Sequence, residues 1–233
     1  MHSIALLTII SLSCNKELDS TPEYLLEKVT VISDSNLYTY NFSYDNKRRL
    51  TMIKGKDSRI ELYYDDQDRL IRDVFYNKSG LKEFTRTYIG NTIQTRDRIY
   101  FLNDKKQVID IKSANNTYLS KIAFESNGNI VSYREYYLGK LKSSTDYSYD
   151  NKNHPMLNVL GREYLFFVME DSGYNLGYIL DCNTLVNNVV EQQDDKGTKQ
   201  QWITKLNYRY NESSFPTYRT DELEEIHYSY IQK

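Results

Sequence analysis

Residues 40–53 read YNFSYDNKRRLTMI, and about twenty residues later the chain repeats itself as IELYYDDQDRLIRDV, residues 60–74. A strand whose alternate positions are apolar, an aromatic residue followed by Asp or Asn, a four-residue turn and a second strand make one β-hairpin unit. In YTYNFSY the side chains of Tyr38, Tyr40, Phe42 and Tyr44 point to one face of a strand, and Thr39, Asn41 and Ser43 to the other. Asp45 and Asn46 suit the turn because their side chains bond the nearby backbone and tolerate the left-handed region. Apolar alternation resumes at Leu50 and Met52.

The same grammar returns around NDKKQ (103–107), ESNGN (125–129), YSYDNKNHP (147–155) and NYRYNESSFP (207–216). One hairpin is marginal alone, so the copies must pair side by side. The expected fold is all-β: a single wide antiparallel meander of about a dozen strands, curled into an open or closed barrel-like sheet. Between 155 and 190 the apolar residues cluster instead of alternating, as in Leu165, Phe166, Phe167, Val168 and Met169. That pattern reads as a short helical or irregular plug on the concave side, with Leu180, Leu185 and Val189 completing the core. Two further buried strands are the alternative.

Composition agrees with a single domain. Among 233 residues, Tyr contributes 23, Gly only 9 and Pro only 3, so nothing resembles a flexible linker. A ring with a polar tip suits a pleated surface that is half wet. Basic and acidic residues nearly cancel at a net charge of −2, and no basic run exceeds NKRR, which argues against nucleic acid as a partner.

Residues 4–13, IALLTIISLS, are apolar, too short for a membrane-spanning helix, and followed at once by Cys14. We read 1–13 as a signal peptide, Cys14 as the lipidated residue of a loose bacterial lipobox, 14–23 as a polar tether and 24–233 as the single β domain. A buried strand carrying an ordinary cysteine is the other reading of this stretch. The expected address is the cell envelope, with the lipid held in the outer membrane and either face open. With Cys14 acylated, Cys182 has no intrachain partner and reads as a small buried residue.

YSYDNKNHPMLNV, LVNNVVEQ and LNYRYNESSFPTYRT, followed by IHYSYI, resemble a domain of unknown function that is porin-like in fold and common in bacterial envelope lipoproteins. The repeat itself is similar to the tyrosine-aspartate repeats of Rhs-type proteins. The landmarks are Tyr149-Asp150 leading to Pro155, the Asn187-Asn188-Val189 triplet, and Tyr210 leading to Pro216. The resemblance implies an all-β barrel-like domain on a lipid tether and brings no catalytic residues. A membrane-spanning barrel is not expected, because alternate positions carry Arg59, Glu61, Arg72, Asp73, Glu135, Lys205 and Arg209, and mean hydropathy is −0.68.

Catalytic chemistry has little material. The three histidines are His2, in the leader, and His154 and His227, which read as turn and strand residues. Asp65, Asp66 and Asp68 read as turn residues, since Gln67, Arg69 and Leu70 break the calcium-loop pattern. Glu135 and Asp146 are the acids that a glycosidase reading would have to use. We therefore expect no enzyme, no cofactor and no metal. The expected role is a binding or interaction module for a glycan or an envelope protein, with Tyr133, Tyr137, Trp202 and Tyr208 as candidate stacking rings. A scaffold that accepts a partner strand by β-augmentation is the alternative, ahead of a hydrolase.

Overall fold

The computed structural model describes residues 23–33, 36–165, 168, 186–196, 198–221 and 223–232. The leader, Cys14, Cys182, Leu180 and Leu185 lie outside them. The chain opens with β1 (Tyr24–Ser33), β2 (Asn36–Tyr44), β3 (Leu50–Lys54), β4 (Arg59–Tyr64), β5 (Leu70–Asn77) and β6 (Gly80–Thr85). It continues with β7 (Thr87–Ile89), β8 (Thr92–Gln94), β9 (Arg98–Leu102), β10 (Val108–Ser113), β11 (Tyr118–Phe124), β12 (Ile130–Tyr137) and β13 (Lys140–Tyr149). The closing strands are β14 (Val189–Asp194), β15 (Trp202–Lys205), β16 (Asn207–Tyr210), β17 (Pro216–Thr220) and β18 (Glu224–Gln232).

The antiparallel meander is there, but its hydrogen-bonded ladder divides into two nine-stranded sheets and does not close into a barrel. The first runs β16-β17-β18-β1-β2-β3-β4-β5-β6, and the second runs from β15 back to β7. Each edge strand of one sheet continues directly into an edge strand of the other. Arg86 separates β6 from β7, and Leu206 separates β15 from β16. Both residues are buried. The Arg86 N–H still bonds the Ile71 carbonyl of β5, and the Leu206 N–H the Val190 carbonyl of β14, each at 2.9 Å. After that residue the chain pairs with the other sheet, which is how a strand turns a corner between packed sheets.

At the Arg86 corner a sequence expectation fails. Asp73 belongs with the wet positions by composition, yet its side chain and that of Arg86 are both fully buried and paired with each other. In register Asp73 stands opposite Leu62, itself 4% exposed, so it lies on the core face. The carboxylate is tolerated there because Arg86 supplies the opposite charge.

The repeated turns explain the periodic sequence. The Asp45 N–H donates to the Arg49 carbonyl and the Arg48 N–H to the Asp45 carbonyl, both at 3.1 Å. The same two bonds close Asp65–Arg69, Asn103–Gln107, Glu125–Asn129 and Asn211–Phe215. The fourth residue of each turn has positive φ: Arg48, Asp68, Lys106, Gly128 and Ser214. That conformation is costly for a side chain, and the first residue's acceptor offsets it. Asp45 Oδ1 takes the N–H groups of Lys47 and Arg49 at 2.9 and 3.0 Å. Asp65 does the same for Gln67 and Arg69, and Asn103 for Lys105 and Gln107.

The tyrosine before the turn has its own task. Tyr44, Tyr64 and Tyr88 donate to the carbonyls of Leu26, Leu50 and Leu70 at 2.7, 2.9 and 2.8 Å. Arg49 and Arg69 then lie over the rings of Tyr64 and Tyr88 at 4.9 and 4.7 Å. Each unit is thereby clamped to its neighbour by one hydroxyl, one ring and one guanidinium.

The plug expectation holds for the part described. Met156, Val159, Leu165 and Val168 join Leu25, Leu26, Val29, Leu50, Ile53, Ile60 and Leu70 in the core of the first sheet. A single 3₁₀ turn, Arg162–Tyr164, carries Tyr164 to the border of both cores. Val189 is buried as expected, within β14.

Candidate functional site

The second sheet buries far less. Its apolar cluster consists of Ile93, Tyr100, Val108, Ile111, Ile122 and Ile130, drawn from β8 to β12. Directly opposed residues in an antiparallel pair share a face, so the register extends this core face across the sheet. Ile111 stands opposite Tyr100 and Ser120; Ser120 opposite Glu135; Glu135 opposite Ser143. One row over, Ile122 stands opposite Tyr133, Tyr133 opposite Thr145, Thr145 opposite Asp194, and Asp194 opposite Trp202. A further row pairs Tyr118 with Tyr137.

Along these rows the face changes from apolar to polar and aromatic. Tyr133 and Glu135 are half-buried, Tyr137 is exposed and Trp202 is 67% exposed. A concavity of about 230 Å³ is lined by Arg98, Ile111, Ser113, Ser120, Tyr133 and Glu135, with Tyr118 at its edge. The polar atoms are oriented by one another. Tyr133 donates to Ser120 Oγ at 3.0 Å, and Ser143 Oγ donates to Glu135 Oε2 at 2.7 Å. Thr145 Oγ1 and Gln192 Nε2 donate to the two oxygens of Asp194 at 2.6 and 2.9 Å. Trp202 Nε1 donates to Thr204 Oγ1 at 3.2 Å. The arrangement offers flat rings beside fixed carboxylates and hydroxyls, the combination that meets a sugar's apolar face and its hydroxyl edge.

Of the four rings picked from sequence, the structure brings Tyr133, Tyr137 and Trp202 onto this one face. Tyr208 stands apart: it is opposite Arg219 in the first sheet, with its ring stacked on Tyr210 at 5.9 Å. Asp194, Ser120 and Ser143 were missed, and Glu135 stands out in sequence only as an acid for a hydrolase. The alternation Tyr133, Glu135, Tyr137 was a usable signal, but the partners on β11, β13 and β14 depend on bulges that no composition reveals. Glu135 and Asp146 lie on opposite faces of the sheet. Asp146 pairs with Arg134 on the outer one, so these two acids do not converge on a common point.

The three landmarks of the resemblance meet at one place. Asp150 Oδ1 accepts the N–H groups of Lys152 and Asn188 at 2.9 and 3.1 Å, and the Tyr210 hydroxyl donates to Asp150 Oδ2. Asn188 Nδ2 reaches the Asn153 carbonyl at 3.1 Å, and Asn153 Nδ2 the Ser213 carbonyl at 2.9 Å. Asn187 and Asn129 exchange bonds of 3.0 and 3.2 Å. Burial, followed by the bond to Asp150, pushes the Tyr210 hydroxyl far above its ordinary value. This knot ties both ends of the plug to the β16–β17 turn, and its polar atoms are spent on one another.

Buried His154 accepts the Met156 N–H through Nδ1 at 3.1 Å, while His227 is exposed beside Tyr218. Asp65 is held by its turn and Arg69, and Asp68 by Lys47 and Arg49. No group of three metal-ligating side chains occurs among the described residues.

No family model matches the chain, and no curated protein matches it either. Among solved structures, the chain is similar to a porin-like protein from Bacteroides uniformis, at 11% identity and a TM-score of 0.56. That match covers 88% of this chain and 98% of the other. A second porin-like protein, from Bacteroides vulgatus, gives 13% identity and a TM-score of 0.48 over 90% of this chain and 99% of that one. The first likeness is one of fold.

Proposed function

We propose that the protein is a non-enzymatic cell-envelope lipoprotein, anchored in the outer membrane through Cys14, whose second sheet binds carbohydrate on its core-side face. One observation carries the reading: where the apolar core of that sheet ends, three rings and two hydrogen-bonded carboxylates continue the same face. A core face that merely closed a domain would continue with apolar side chains, as the first sheet does from β18 to β5. The rings supply stacking area, and Glu135 and Asp194 supply fixed acceptors for sugar hydroxyls.

A glycan array probed with the full chain tests this. Binding to a restricted set of glycans, lost on Tyr133→Ala or Trp202→Ala, is the expected result. Binding to none, or binding indifferent to both substitutions, contradicts it. The anchor has a separate test: Cys14→Ser should release the protein from membranes, and unchanged membrane association would refute anchoring there.

A second reading has its own support. Because the chain changes sheets at Arg86, the outer edge of β6 pairs with no further strand among the described residues. It faces the β8–β9 turn across a cleft of about 500 Å³ lined by Lys82 to Thr85 and Thr95 to Arg98. An extended segment of a partner protein would add there by β-augmentation. Lys82 and Glu83 on this edge argue against indiscriminate pairing.

A further inference from the structure

Antiparallel alternation sorts the turns into two rims. The Tyr-Asp turns, the plug and the first residue of β1 share one rim; the β1–β2, β5–β6, β10–β11, β12–β13, β14–β15 and β17–β18 connections share the other. Large exposed apolar residues concentrate on that second rim, among them Leu37, Leu81, Leu138, Leu141, Trp202 and Leu223. Their highest density is at two adjoining hairpins, β10–β11 and β12–β13.

Leu138 is the apex of the second hairpin. With φ of 48° at Leu138 and 77° at Gly139, the pair forms a two-residue turn in which both residues are left-handed. Asn is favoured at the first of these positions, and a bulky apolar residue there costs backbone energy. The chain nevertheless holds Leu138 at 65% exposure, with its N–H fixed to the Thr117 carbonyl of the neighbouring turn at 2.9 Å. Leu141 follows at 57%. Just behind the apex, Tyr118 and Tyr137 lie ring against ring at 4.9 Å.

Three cations flank this tip. Lys142 Nζ lies over the Tyr118 ring at 5.7 Å, Lys112 Nζ over Phe101 at 5.0 Å, and Lys140 opens β13. Among the described residues none of the three is in an ion pair with a carboxylate. Of the carboxylates on neighbouring strands, Glu135 is engaged by Ser143, Asp194 by Thr145, and Asp195 by the Ser144 N–H.

We infer that this double hairpin docks on a lipid surface rich in anionic headgroups. Leu138 and Leu141 enter the acyl boundary, the Tyr118–Tyr137 pair sits at headgroup level, and Lys112, Lys140 and Lys142 meet the phosphates. Apolar apex, aromatic belt and basic collar are in the order that a bilayer interface rewards. A protein groove would account for the leucines but not for three cations that have no carboxylate partner among the described residues. The inference does not rest on the carbohydrate reading: the Tyr118–Tyr137 pair borders both surfaces, while Leu138, Leu141 and the lysines take no part in that site.

The test places a reporter at the apex. In the full chain, Leu138→Trp combined with Trp202→Phe leaves residue 138 as the only indole. Its emission is followed with vesicles of phosphatidylglycerol and phosphatidylcholine that carry brominated acyl chains. The expected result is a blue shift and quenching, with Lys140→Glu and Lys142→Glu each weakening partition about fivefold. An unquenched indole on vesicle-bound protein would overturn the inference, since the chain would then be held by its apolar N-terminal stretch alone. Equal quenching on pure phosphatidylcholine would overturn the role given to the lysines.

Discussion

The two sheets are equal in strand number and built from the same hairpin unit, yet they bury different things. In the first, the strands from β18 through β1 to β5 each give side chains to one apolar core and the plug completes it, with Met156, Val159, Leu165 and Val168 among Leu25, Ile53 and Ile60. In the second, the buried apolar cluster runs only from β8 to the first half of β12, with Tyr147 packed against it and Val189 buried at the start of β14, and the rest of the face turns into Tyr133, Glu135, Thr145, Asp194 and Trp202. The hairpin unit is therefore indifferent to what its inward face carries, because its turn and its tyrosine clamp act through backbone groups at the strand end. Evolution can rewrite one face while the sheet keeps its register.

The sharpest way to break that comparison is at the corner where the sheets join. Arg86→Ala leaves Asp73 charged and buried, which should cost about 3–5 kcal/mol in urea unfolding. A loss below about 1 kcal/mol would mean that the corner contributes little to the joining of the sheets. A smaller effect should follow from the polar knot. Asp150→Ala removes the acceptor for Tyr210, Asn188 and Lys152 together, and about 2–3 kcal/mol should be lost by the same measurement.

The turns give a subtler, pH-dependent signature. Burial would raise the Asp65 carboxyl, but the Arg69 guanidinium and the N–H groups of Arg69 and Gln67 together hold it below the usual carboxylate range, and Asp45 follows the same pattern. A carboxyl depressed in the folded state adds stability above its unfolded pKa of about 3.9 and loses it as pH falls through the folded value. Acid should therefore loosen the Tyr-Asp rim below about pH 4. Asn103 performs the same turn without a charge, so Asp65→Asn should keep the fold and cost under about 1 kcal/mol at pH 7. The variant's stability should fall less steeply in acid than the parent's. Identical acid limbs would show that Asp65 is not among the groups responsible.

Much of the fold was legible because it is local. Alternation placed Phe42, Tyr44 and Leu62 on the core side, and Asp or Asn before a four-residue turn marked the hairpins. What could not be read is where the ladder divides. Arg86 and Leu206 sit inside runs that look like continuous strands, and only the packing of two sheets makes each the residue at which pairing partners change. Asp73 misled for a related reason, since a carboxylate in alternation reads as wet unless the arginine thirteen residues on is known to be beside it. In the site, Tyr133 and Tyr137 lie two rungs apart on one strand and could be joined from sequence. Trp202 comes to them only through the ladder Tyr133, Thr145, Asp194, Trp202, which spans four strands.

The central claim, that the second sheet's inward face serves a ligand more than the core, is tested most directly by one paired measurement on the Glu135→Gln, Trp202→Ala double variant. Both substitutions leave the apolar core intact, and the amide oxygen introduced by Glu135→Gln can still accept from Ser143. Urea unfolding within about 1 kcal/mol of the parent is expected, together with loss of glycan binding. A variant that binds glycan as the parent does, or one that loses several kcal/mol of stability, would contradict it.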